Sequence, residues 1–99
     1  MAETLRLSPV ISVFPDDKYE NLLIEVVLPG VEKKDVSFKL TSDSFYVSGK
    51  KEGVMYLDSY PTDCPVVPEK ATAKYSNGIL KVTVPYQKPL EKLVDVKIE

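Results

Sequence analysis

Histidine and tryptophan are absent from this 99-residue chain, and cysteine occurs once, as Cys64. Without histidine the commonest general base and metal ligand is missing. A Ser–His–Asp triad and a Cys–His pair are excluded with it. One cysteine excludes an internal disulfide and a cysteine-rich zinc site, and it is compatible with a reducing compartment. The four glycines, Gly30, Gly49, Gly53 and Gly78, form no phosphate-binding pattern. No stretch approaches the ~18 apolar residues of a membrane helix. The nearest, from Leu22 to Leu28, is broken by Glu25 and stopped by Pro29-Gly30. Met1-Ala2-Glu3-Thr4 has neither a basic nor an apolar leader region, so it does not read as a signal peptide. A cytoplasmic location is expected. Net charge is −2, with 13 Lys+Arg interleaved among 15 Asp+Glu. No basic block is present to neutralise phosphates, which disfavours nucleic acid.

What the chain does contain is strand pattern and turn punctuation. Hydrophobic content of 43% suffices for one modest core. Val10 to Phe14 reads as a short strand ending at Pro15-Asp16-Asp17. Residues 19–28 read as a long strand with Leu22, Ile24, Val26 and Leu28 on one face, and with Leu23 and Val27 giving partial cover on the other. Residues 36–41 alternate cleanly: Val36, Phe38 and Leu40 against Ser37, Lys39 and Thr41. Residues 44–50 and 54–60 follow, with Lys51-Glu52-Gly53 turning between them. A proline-rich crossing runs from Pro61 to Pro68. The hairpin over 70–84 turns at Asn77-Gly78, two residues that tolerate the positive φ of a type I′ turn. No segment sustains a 3.6-residue period, so the expectation is two packed antiparallel sheets. The expected core is Leu22, Ile24, Val26, Phe38, Phe45, Val47, Leu80, Val82 and Val84. Residues 1–9 are expected to form an arm, 10–87 the domain and 88–99 a tail.

Few groups remain for chemistry. Asp16-Asp17, Asp58 and Asp63 are the carboxylates that could do acid–base work. Asp16-Asp17 reads as a solvated turn. Asp58 reads as a surface sheet residue, the other reading being a partner for Lys that orients a contact. Cys64 has no cation run beside it to lower its pKa and reads as inert. Six tyrosines without a basic groove read as cover for sheet faces and edges. The expectation is a protein that is not an enzyme and takes no cofactor, metal, nucleic acid, membrane or small-molecule substrate.

Ala73-Lys74-Tyr75-Ser76-Asn77-Gly78-Ile79-Leu80, followed by Val82-Thr83-Val84-Pro85, resembles the A-x-x-x-N-G-I-L…V-x-V-P signature of the small heat-shock proteins, the α-crystallin domain family. Leu28-Pro29-Gly30-Val31-Glu32-Lys33-Lys34-Asp35-Val36 is similar to the family's L-P-G-V-x-K-x-D-I turn. Phe45-Tyr46-Val47-Ser48-Gly49 is similar to its L-x-I-x-G strand end, and Val96-Lys97-Ile98 to its C-terminal I-x-I motif. The resemblance implies an immunoglobulin-like β-sandwich of the α-crystallin type. It implies an ATP-independent holdase that binds apolar segments of unfolded or partly folded proteins. It also implies a groove for client or tail lined by Val36, Phe38, Leu40, Ala71 and Ala73, with Val96 and Ile98 as the docking motif and self-association through the tail or a sheet edge.

Two departures bear on assembly. Only Lys51 to Met55 separates the strand ending at Gly49-Lys50 from the next, where many members carry a long loop with an exchanged strand. The next strand, Tyr56-Leu57-Asp58-Ser59-Tyr60, has Asp58 where the family's F-x-R-x-F places arginine. The standard exchanged dimer is therefore not expected; a monomer or small oligomer is. The compact plan resembles the CS-domain co-chaperones, although their tryptophan is absent. A CS-like module docking on another complex is the alternative function. For the tail, the alternative to docking is a final edge strand folded back on its own sandwich.

Overall fold

The computed structural model describes residues 4–88 and 94–99. Residues 1–3 of the expected arm and 89–93 of the expected tail lie outside the described residues. Eight strands follow in order: β1 (Leu5–Leu7), β2 (Val10–Pro15), β3 (Asn21–Val27), β4 (Val36–Leu40), β5 (Ser44–Lys51), β6 (Val54–Pro61), β7 (Thr72–Ser76) and β8 (Ile79–Pro85). Two single 3-10 turns, Lys33–Asp35 and Pro68–Lys70, lead into β4 and β7. The strands form two four-stranded sheets, ordered β1-β6-β5-β4 and β2-β3-β8-β7. All pairings are antiparallel except β1 with β6, which is parallel. Two corrections follow: the arm contributes a strand at Leu5–Leu7, and the first sheet is not wholly antiparallel.

Side-chain parity decides the core. Register pairs Leu22, Ile24 and Val26 of β3 with Val84, Val82 and Leu80 of β8, and all six are buried. Phe45 and Val47 of β5 close the layer from the opposite sheet. Leu23 and Val27 on the outer face are half-buried. Phe38 departs from expectation: it is only half-buried, because β4 is an edge strand, and it stacks on Phe45 with ring centroids 5.5 Å apart. The core also takes Leu28, which continues the alternation of β3 past its end, and Val31, Val66 and Tyr86 from turns and connections, where no alternation marks them.

The turns hold the register. Asn77 and Gly78 have φ of 52° and 77°, the pair of positive values a type I′ turn requires. The Leu28 N–H donates to Gly78 O at 2.7 Å, fastening this hairpin to the turn after β3. Between β2 and β3 the Asp16 carboxylate accepts from the Glu20 and Asn21 N–H groups, at 2.9 and 3.3 Å, and from Asn21 Nδ2 at 2.9 Å. These bonds, the Asn21 side chain foremost, hold its pKa below the usual 3.8. Asp16 is thus the organiser of its turn rather than only a solvated residue in it. The β5–β6 connection is the short one expected, with Lys51 paired to Val54 across Glu52-Gly53.

A Cβ at Gly78 would lie 3.5 Å from Leu28 O and Pro29 Cα, an ordinary contact, so substitution there costs conformational energy and not space. Gly78→Val should therefore destabilise by about 1–3 kcal/mol, and Gly78→Asn by clearly less, since Asn tolerates positive φ. Denaturant melts of the two variants measure the difference; equal midpoints would contradict the I′ turn.

Candidate functional site

The two sheets leave a side of the sandwich open where β4 and β7 are the edge strands. Two ties fix that opening. At one end the Tyr75 hydroxyl lies between the carbonyl oxygens of Leu28, at 3.0 Å, and Val31, at 2.5 Å, and its single proton serves both. At the other end Val66 N–H donates to Ser42 O at 2.8 Å, Val67 N–H donates to Pro85 O at 2.9 Å, and Val66 bridges to Tyr86. β4 and β7 thus run between the same two anchor points, in opposite directions.

Between the anchors the inward faces are not covered. Val36, Phe38 and Leu40 pair with Gly49, Val47 and Phe45, so they face the core side of their sheet, yet each stays half-exposed. Ala73 pairs with the buried Val82 and faces the same interior, but it is exposed. Ala71 is half-buried against the core. Val36, Phe38, Leu40 and Ala73 share the inward parity beside this opening. The outward positions on its two edges carry Lys39 and Lys74. The structural hairpin Asn77-Gly78 ends β7, and through Gly78 it is bonded to Leu28, one of the Tyr75 partners.

The tail motif is not seated there. Residues 94–99 have no regular structure, and Val96 and Ile98 are 81% and 93% exposed. The final edge strand considered for this segment is not formed by the described tail residues. Sequence reasoning missed Tyr75 and Val66. Tyr75 shares parity with Ala73, which signals an inward side chain, but the carbonyls it meets lie more than forty positions away. Val66 sits in an irregular, proline-rich crossing and carries no pattern at all.

Asp58 has the inward parity of its partner Val47 and is half-exposed at the rim of its sheet. The Ser59 N–H, 2.8 Å from its Oδ1, is the first cause of a lowered pKa, and the Tyr60 hydroxyl adds to it. Cys64 is a half-buried free thiol whose carbonyl accepts from Thr62 Oγ1 at 3.0 Å. Among the described residues no cluster of side chains could hold a metal ion, and no helix is long and apolar enough to cross a membrane.

The sandwich keeps an apolar side open between its edge strands β4 and β7, a surface suited to contact with another chain. The comparisons agree in kind. The chain is 32% identical over 107 aligned positions to a Leptospira interrogans protein described as "Probable 15 kDa heat shock protein", covering 94% of this chain and 81% of that one. Heat shock protein 16.0 of Schizosaccharomyces pombe superposes with a TM-score of 0.77 at 24% identity, covering 94% of this chain and 99% of that one. A small heat-shock protein of Xylella fastidiosa superposes with a TM-score of 0.67 at 12% identity, covering 94% and 97%. No protein-family model matches the chain. The chain belongs to the small heat-shock protein, or α-crystallin, family. It has a chaperone-type role and is not an enzyme.

Burial pushes the Tyr75 phenol above its usual 10.0. Tyr86 is raised too, by burial first and then by Cys64, Asp16 and Asp63 nearby. A raised folded pKa means stability is full below pH 10 and falls as pH climbs through the folded values, because the unfolded chain loses its phenolic protons first. Melting temperature should therefore drop above pH 10. Tyr75→Phe should flatten that drop and cost about 0.5–1.5 kcal/mol at neutral pH for the lost hydrogen bond. A pH series of thermal melts on both proteins checks the two effects together.

Proposed function

We propose that the protein is an ATP-independent holdase that binds exposed apolar segments of unfolded or partly folded proteins in the β4–β7 groove. The observation that carries this reading is the half-exposed row Val36, Phe38 and Leu40, inward by register and uncovered for want of a neighbour beyond β4. An extended segment laid along it adds a strand to an open edge and drops alternate side chains into the opening. Each fully buried aliphatic side chain contributes roughly 1.5–3 kcal/mol.

The tail motif is the internal competitor for the groove. Val96 and Ile98 together offer roughly 3–6 kcal/mol on burial. Ordering about five tail residues costs an amount of the same size, at ~1–2 kcal/mol each. One docking event is therefore weak and exchangeable, and tethering between copies makes it persist. Self-association through the tail or a sheet edge follows from the same surfaces. The working compartment is the cytoplasm, where a lone thiol such as Cys64 stays reduced.

The short β5–β6 turn favours a second reading, a CS-like module that docks on another protein complex. Suppression of aggregation of a model protein by the isolated chain separates the two. The holdase reading expects suppression. It expects Ala73→Gln, at an exposed position off the core, to weaken suppression several-fold with the melting temperature nearly unchanged. It expects the double change of Val96 and Ile98 to Gly to lower self-association and leave the groove more available. No suppression by the unaltered chain would overturn it in favour of the docking module.

A further inference from the structure

The sandwich has a second open side, formed by the opposite edge strands β1 and β2. Register again says what faces it. Leu7 pairs with Tyr56, which pairs with Gly49 on the inner face. Ile11 and Val13 pair with the buried Val26 and Ile24. Tyr60 pairs with the buried Phe45, and their rings lie 6.0 Å apart. Yet Leu7, Val13 and Tyr60 are 44%, 39% and 43% exposed. Ile11, Val13, Tyr60, Pro61 and Asp63 line a cleft of about 350 Å³ on this side.

Two carboxylates stand on this side. Asp63 lines the cleft at one end. Asp58 stands two residues before Tyr60, on the same face of β6, and its carboxylate raises the Tyr60 phenol above its usual 10.0. Among the described residues neither carboxylate has a salt-bridge partner; the pair found there is Lys34 with Glu32, at 3.5 Å. Outward edge positions carry cations on both sides, Lys39 and Lys74 beside the groove and Arg6 on β1 here, so the two carboxylates are set apart by their inward placement. In an extended segment, side chains two positions apart share a face, about 6.6 Å from one another. An aliphatic residue in the cleft with a cation two positions to each side therefore meets Tyr60 and Val13 in the middle, with Asp63 in the cleft lining and Asp58 next along the same face of β6.

We propose that the β1–β2 cleft is a separate binding site for extended client segments of the pattern basic-x-aliphatic-x-basic. This rests on the holdase reading and adds to it a second site with its own substrate class. The protein's own tail lacks the pattern: Lys97, the one lysine between Val94 and Glu99, has Asp95 and Glu99 two positions to either side.

The test uses the full chain and a fluorescent peptide of three Lys-Ser-Ile-Ser repeats closed by Lys, beside the same peptide with Glu in place of Lys. Anisotropy should show saturable binding of the lysine peptide, at least about tenfold tighter than the glutamate one, and weaker at high salt. Asp58→Asn combined with Asp63→Asn should abolish that preference, and circular dichroism should show an unchanged fold. Ala73→Gln should leave lysine-peptide binding as it was. The proposal is overturned if the lysine peptide does not bind, if the double variant binds it undiminished, or if Ala73→Gln removes it. Aggregation suppression without lysine-peptide binding overturns the cleft and leaves the holdase reading standing. Lysine-peptide binding at the cleft without suppression upholds the cleft and overturns the holdase reading.

Discussion

Burial of Ile24, Val26, Phe45, Val82 and Val84 between the two sheets is the interaction on which the rest depends. The layer is one side chain deep from each sheet, so each contributing strand must keep strict alternation. A slip of one residue in β8 would turn Leu80, Val82 and Val84 outward together. That is why the hairpin at Asn77-Gly78 matters beyond its own energy: it sets the pairing on which all three depend. Phe45 has a double part, since it closes the core and supports the rings of both Phe38 and Tyr60. Phe38 belongs to one open side and Tyr60 to the other, so a single buried ring props the apolar surface of both.

Four strands per sheet leave four edges, and a protein that displays apolar edges risks pairing with copies of itself. The edges here are blunted. β1 has three residues, β4 and β7 carry Lys39 and Lys74, and β2 ends at Pro15. The open sides keep their apolar floors while the rims stay charged. An interaction protein of this kind needs both, because a floor without a charged rim would aggregate and a closed side would bind nothing. Small residues on one wall, Ala71 and Ala73, face large ones on the other, Val36, Phe38 and Leu40.

Much of the fold was legible. Period-two alternation placed β3, β4, β5 and β8 within a residue or two, and the Asn-Gly turn was read with its type. The groove residues were named from the family resemblance; register gives Val36, Phe38, Leu40 and Ala73 an inward parity, while Ala71 lies before β7 and has no register partner. The rest was hidden for identifiable reasons. Val66 and Tyr86 are buried through connections whose backbone has no period. Asp16 looked like a solvated turn because its partners, the Glu20 and Asn21 N–H groups, become neighbours only when the turn closes. Leu5–Leu7 is too short to show alternation, and its parallel partner begins almost fifty residues later.

The amino-acid sequence by itself determined the class of fold, the turns, the parity of each long strand and the absence of histidine-based chemistry. These are local properties: a φ preference, a two-residue period and an inventory of side chains act without distant neighbours. Only the tertiary structure decided which strands became edges. That choice left Phe38 and Ala73 uncovered while Val47 and Val82, their register partners, were sealed in. It also set Tyr75 against the carbonyls of Leu28 and Val31 and brought Asp58 to an apolar rim. Exposure at an inward-facing position depends on which strand lies next to it, and neighbours in a sheet are fixed by contacts far apart along the chain.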